Sequence, residues 1–281
     1  MLAILTKQCH NTFVAECLSE FQWSSVAFLG EQLFALSSPS SKQVDVFNAN
    51  DFSTLGSVTL VFRGSAYFVD MAACCFYKCL YLSDARNARM VRLKWPSEGS
   101  AWIVDDIGSD SVVSVTRSHD VLVMCDKSNK LKLFGTDGLL RMAVDLQPDI
   151  VNVTSAVELI AGHYLVTHGK GSDNLHRVCL VNSEGKILHA YGSSPLLDCP
   201  KAVAVDRDGF VYVIEEGTDR LLVLNPTLEF IHCIKHDLPS GKRRLKIDNA
   251  WKRVFVRHCH PSVLNATFVT CLRFDRRYMY W

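Results

Sequence analysis

An acidic side chain followed four or five residues later by a base recurs along the chain: Asp84 with Arg89, Asp126 with Lys130, and Glu215 with Arg220. A carboxylate so placed in a tight turn can accept backbone N–H groups and pair with the base across the turn, which holds a loop in shape. The alternative chemistry is metal binding. With His168 and His258 at equivalent places, the set Asp84, Asp126, His168, Glu215 and His258 offers oxygen and imidazole donors suited to a hard or borderline cation. The first reading is favoured, because nothing in the spacing makes the five converge. No catalytic residue, no metal ligand and no cofactor is assigned.

Two cysteine-bearing stretches invite a zinc reading, His258-Cys259-His260 and Cys74-Cys75 with Cys79. Structural zinc sites favour C-x-x-C pairs, and the chain has none. Cys74 and Cys75 are adjacent, so on a strand they point to opposite faces and act as small apolar fillers. Eleven cysteines, an odd number, fit reduced thiols better than a disulfide framework. The opening MLAILTKQCH carries an apolar run of only Leu2 to Leu5, too short for a secretory leader, and no run reaches the ~20 residues of a membrane span. The expectation is a cytoplasmic chain with no membrane partner.

The elements that position these residues are strands. From Pro200 to Ile234 apolar residues alternate in four bursts: Val203 with Val205, Val211 with Val213, Leu222 with Leu224, and Phe230 with Ile234. Between them lie Asp206-Arg207-Asp208-Gly209, Glu215 to Asp219 and Asn225-Pro226-Thr227, all rich in turn-forming residues. Such a four-stranded meander has two apolar faces and must stack on copies of itself. Equivalent second strands end at Ser37, Asp84, Asp126, His168, Glu215 and His258, at steps of 42 to 47 residues.

Six units of that period predict an all-β, six-bladed β-propeller of four-stranded antiparallel blades. The blades fall at about 26–58, 68–104, 112–144, 154–191, 202–235 and 244–274 in a single domain spanning 1–281. The last unit lacks a fourth strand, and FVAECL at 13–18 supplies it, so the N-terminal strand closes the ring and removes two sheet edges.

The form P-x-x-V-A-V-D-x-x-G-x-V-Y-V at Pro200 to Val213, followed by Glu215 and Arg220, resembles the NHL repeat. Residues 154–235 carry the likeness most strongly, and it is similar to the C-terminal propellers of TRIM-NHL proteins. LYLSDARNARMVRL is also similar to the YWTD repeats of secreted receptors, but no Tyr-Trp pair recurs, and no Gly-His or Trp-Asp pair marks a WD repeat. The NHL resemblance implies a non-catalytic domain that recognises a protein partner, as in substrate recognition for ubiquitin ligases. No RING or B-box is encoded here. Some NHL propellers bind RNA, and related propellers include metal-dependent hydrolases and lyases, so these are the alternatives.

From Lys242 onward the charge balance is +8, against −7 for the residues before it. That basic wedge comprises Lys242, Arg243, Arg244, Lys246, Lys252, Arg253, Arg257, Arg273, Arg276 and Arg277, and is read as a solvated face or an RNA contact. Loops after the second strands and loops joining blades share one rim, because successive strands reverse direction. Lys42, Arg86, Lys127, His168, Lys170, Lys242 and Arg243 are the expected partner-binding residues there.

Overall fold

The computed structural model describes residues 16–21, 23–60, 64–94, 98–169, 175–192, 196–216, 220–235, 244–248, 253–259 and 267–273. Every element in them is a strand. The first is β1 (Glu16–Phe21), which belongs to the last blade. Blade one is β2 (Ser25–Leu29), β3 (Gln32–Leu36), β4 (Gln43–Asn48) and β5 (Thr54–Thr59); blade two is β6 (Phe68–Cys74), β7 (Cys79–Asp84), β8 (Arg89–Lys94) and β9 (Glu98–Ile103). Blade three is β10 (Val112–Val115), β11 (Val121–Cys125), β12 (Lys130–Phe134) and β13 (Leu140–Asp145). Blade four is β14 (Ser155–Ile160), β15 (His163–His168), β16 (Arg177–Asn182) and β17 (Ile187–Tyr191). Blade five is β18 (Pro200–Val205), β19 (Val211–Glu215), β20 (Arg220–Leu224) and β21 (Phe230–Lys235). Blade six is β22 (Arg244–Asp248), β23 (Arg253–Cys259), β24 (Thr267–Arg273) and the returning β1.

The ring therefore has six four-stranded antiparallel blades closed by the earliest strand. Residues 13–15 of FVAECL lie outside the described residues, and residues 16–18 lie in the closing strand. Its register pairs Glu16 with Arg273 and Phe21 with Val269, carrying the strand through Ser19 and Glu20. These polar residues hid the far end of the strand from an apolar count.

Alternation on the second strands explains the stacking. In β19 Tyr212 and Ile214 pack with Val254 and Val256 of blade six, whereas Val211 and Val213 pack with Leu165 and Val178 of blade four. A second strand is thus buried on both faces, and all five residues of β19 are buried. Apolar clusters of the same construction fill the other interfaces, including Leu33 and Ala35 against Phe255 and Cys271 where the ring closes. Each fully buried side chain of this kind contributes about 1.5–3 kcal/mol. By contrast, β5 and β17 on the outside have no buried residue.

The tight turns repeat one geometry. Asp206 N–H bonds Phe210 O and Gly209 N–H bonds Asp206 O, and the same pattern recurs at 135–139, 182–186 and 225–229. Its fourth residue takes positive φ, met by Gly138, Gly185 and Gly209, but by Leu228 at 62°.

Deleting residues 1–21 should open the β24 edge and replace a single cooperative melting transition with aggregation or a broadened one. Thermal unfolding with size-exclusion chromatography checks this, and a monomer with an unchanged midpoint would contradict ring closure.

Candidate functional site

Linkers and second strands meet on one rim, and backbone pairs hold them there. Ser24 N–H bonds Leu36 O, Ala85 N–H bonds Tyr67 O, Gly169 N–H bonds Val151 O, and Glu216 N–H bonds Cys199 O. The turn acids reinforce the same junction. Asp84 has no exposed surface; it accepts from Tyr67 N–H at 3.0 Å, Arg86 N–H at 3.2 Å, Asn87 at 2.6 Å and Arg89 Nε at 2.9 Å. Glu215 accepts from Asp198 N–H at 2.7 Å and is gripped by Nε and Nη2 of Arg220. Asp126 accepts from Asp110 N–H at 3.1 Å and from the Ser111 hydroxyl. These carboxylates face their own linkers.

One expected pair is corrected: Lys130 bonds Asp145 on β13 at 2.7 Å instead of Asp126. β12 pairs Lys130 directly opposite Asp145, so the cross-strand partner is nearer than the turn acid, whose oxygens serve Asp110 and Ser111. His168 is also corrected as a surface residue. It is buried, with Nε2 3.4 Å from Cys179 Sγ, because it ends a second strand enclosed on both faces. Lys42 and Arg86 are exposed on blades one and two, while Lys170, Lys242 and Arg243 lie outside the described residues.

Lys127 is exposed in a depression of this rim, about 700 Å³ where blades three to six meet. Among the described residues its charged lining is Asp110, Asp126, Glu216, Lys127, Lys201 and Arg244, three acids against three bases. Asn129 and Asn152 add amides; Asn129 Nδ2 fixes the linker through Ile150 O at 2.7 Å. Lys201 pairs with Glu216 at 2.7 Å, and Arg244 reaches from blade six to Asp110 O at 2.9 Å. Beneath lies a cavity of about 180 Å³ walled by inner strands, with Val113, Val157 and Val203 beside Arg244 and Lys246.

Lys246 Nζ bonds the buried Asp70 carboxylate at 3.2 Å and Val113 O at 3.3 Å. Arg253 pairs with Asp248 at 2.7 Å and also donates to Ala49 O. Three members of the basic wedge therefore face into the protein rather than forming a solvated face. Of the depression's lining, spacing found Asp126 and Lys127 and missed Asp110, Lys201 and Glu216. Arg244 was named only as part of the wedge. Their common signal is position, each next to a linker or a strand end on the same rim.

No family model matches the chain, and no curated protein matches it in sequence. Solved structures do. A selenomethionine-substituted virginiamycin B lyase from Staphylococcus aureus superposes with a TM-score of 0.62 at 8% identity, over 92% of this chain and 99% of that one. A streptogramin B lyase gives 0.61 at 8%, over 94% and 98%, and a protein of unknown function from Bacteroides caccae gives 0.60 at 10%, over 87% and 94%. What the chain shares with them is the fold.

Among the described residues, one cluster has the composition of a metal site, His176, Asp198 and Cys199 on the linker side of blades four and five. His176 Nδ1 is 3.2 Å from Cys199 N and 3.3 Å from Asp198 Oδ1. It does not include the turn acids.

Burial alone would raise the Asp84 carboxyl, but hydrogen bonds from Tyr67, Asn87 and Arg89 outweigh it and hold the group below its ordinary value of 3.8. A depressed folded value stabilises the fold above about pH 4, and that stabilisation is lost as pH falls through the lowered value. Asp84→Asn should therefore be less stable than the parent chain at neutral pH, with the gap closing toward pH 3 in denaturant titrations. Arg89→Ala and Arg220→Ala should each cost about 1–3 kcal/mol by leaving a buried acid short of a partner. Lys130→Ala should leave stability nearly unchanged, since its pair with Asp145 is exposed; equal losses from all three in chemical denaturation would overturn this ranking.

Proposed function

We propose that the chain is a recognition propeller of NHL type that binds a protein partner through the rim carrying the depression between blades three and six. The observation that carries this reading is the balance of the lining, in which, among the described residues, three carboxylates and three cations are set with amides between them. A surface for a polyanion would be dominated by one sign. A surface of mixed sign set among fixed loops suits a polar peptide segment, whose own groups alternate between donor, acceptor and charge. The NHL-like form of blade five and the ring of rigid strands support the same reading, with ubiquitin-ligase substrate recognition as the setting its family resemblance implies.

RNA binding through blade six is less favoured, because Arg244, Lys246 and Arg253 make internal bonds. A metal-dependent lyase is the second reading. Two of the fold's structural relatives are named as lyases, and the His176, Asp198 and Cys199 cluster supplies a ligand set for it.

The test is capture of partners from lysate by the full chain, with and without nuclease, followed by affinity measurement on the partner identified. Lys127→Glu should weaken that binding at least ~10-fold with an unchanged melting midpoint, and Arg86→Glu on blade two should leave it intact. Loss of capture on nuclease treatment would replace the protein reading with RNA. Turnover of a lactone or ester abolished by EDTA would put the lyase first.

A further inference from the structure

Cys74 closes β6 and Cys79 opens β7, and the two are direct cross-strand partners across the turn of residues 75–78. Directly opposed residues in an antiparallel pair have Cα atoms about 4.5–5.5 Å apart, inside the ~4.4–6.8 Å a disulfide requires. Both thiols are buried, at 1% and 0% exposure, in the apolar cluster between blades two and three. Such a pair is chemically inert when its surroundings are wholly apolar. Here they are not. Tyr81 Oη and Arg92 Nε are buried polar atoms with no hydrogen-bond partner among the described residues; Tyr81 lies two residues along β7 from Cys79, on the same face of the strand, and Arg92 is directly opposite Tyr81 on β8.

We infer that Cys74 and Cys79 form a redox-active dithiol, in which Cys79 is the sulfur attacked first by a hydroperoxide and Cys74 resolves it to a reversible disulfide across the β6–β7 hairpin. The asymmetry between the sulfurs follows from their neighbours. The opposed Cys74 thiol, with Tyr81 and Arg92, brings Cys79 down to about 6 against the opposing effect of burial, while the same closeness of the two sulfurs pushes Cys74 up. A thiolate is the nucleophile in this chemistry, and a nearby second thiol is what converts its first oxidation product into a disulfide.

The chemistry balances as a two-electron oxidation. Cys79 thiolate attacks the terminal oxygen of the hydroperoxide; an S–O bond forms, the O–O bond breaks, and the alkoxide leaves with the Cys74 thiol proton as an alcohol, or as water when the oxidant is hydrogen peroxide. Cys74 thiolate then attacks the Cys79 sulfur, the S–S bond forms, the S–O bond breaks, and hydroxide leaves with a solvent proton as water. Access comes through the hairpin tip, where all four turn residues, Cys75 to Lys78, are exposed. The turn also carries Phe76, which stacks on His119 of blade three at 4.5 Å, with Tyr77 edge-on at 4.8 Å. A disulfide at its base fixes the spacing of the two strands that present this aromatic pair.

The experiment treats the full folded chain in a Cys75→Ser background with graded hydrogen peroxide, blocks free thiols, digests without reductant and maps the products by mass spectrometry. The expected result is a Cys74–Cys79 link, reversed by dithiothreitol, at peroxide doses that leave the partly exposed Cys199 and Cys233 reduced. In Cys74→Ser a dimedone adduct should collect on Cys79, and in Cys79→Ser neither link nor adduct should form at residue 74. Arg92→Met should slow link formation about 10-fold. Oxidation of Cys199 or Cys233 before any link appears, a dimedone adduct on Cys74 in Cys79→Ser, or an unchanged rate in Arg92→Met would each overturn the assignment. The parent-chain measurement stands even where a variant fails to fold.

Discussion

Four blades meet on the carboxylate of Asp70. It sits on the inner strand of blade two with no exposed surface, accepts from Ser25 Oγ of blade one at 3.3 Å and from Val113 N–H of blade three at 3.0 Å, and is paired with Lys246 of blade six. An isolated carboxylate in that position would cost several kcal/mol, so the partners must be in place together. A register shift between Phe68 and Asp70 inserts an extra residue just before the acid, the kind of irregularity that re-aims a side chain near a functional region. Interblade packing is apolar and non-directional; this network adds direction, specifying which inner strands face one another around the axis.

The same network changes the meaning of the charge distribution. The excess of Lys and Arg after residue 242 reads in sequence as an outward field. In the folded chain Lys246 neutralises Asp70, Arg253 neutralises Asp248, and Arg244 donates to a backbone carbonyl on the opposite side of the ring. Acidic blades and a basic blade are thus complementary parts of one ring, and among the described residues the depression on the rim above them is lined by three acids and three bases. This is why a near-neutral total charge and a strongly asymmetric sequence coexist.

What the sequence made legible was whatever repeats locally. The second strands, the tight turns with glycine at a left-handed position, and Asp84 with Arg89 or Glu215 with Arg220 all lie within a few residues of one another, so period and composition reveal them. Lys130 misled because the nearest acid in space, Asp145, is across a strand rather than along one. His168 misled because its strand position, enclosed on both faces, outweighs its polar type. The depression stayed hidden because Asp110 and Asp126 come from blade three and the linker into it, Lys201 from blade five and Arg244 from blade six, and only closure brings them together. Cys74 and Cys79 were visible as residues but not as a pair, since their relation depends on a turn of four residues placing them in register.

The partnership of β1 with β24 also has a temporal side. The first described strand pairs with the last, so a chain emerging from the ribosome in order presents β1 without its neighbour until Thr267 to Arg273 have been made. At ~5–20 residues per second that interval is on the order of ten to fifty seconds. Blades one to five can stack meanwhile, each on the one before, but both ends of the arc remain open sheet faces. The ring is therefore an assembly that waits on its final segment, and a factor that shields strand edges during synthesis has its window before that segment arrives.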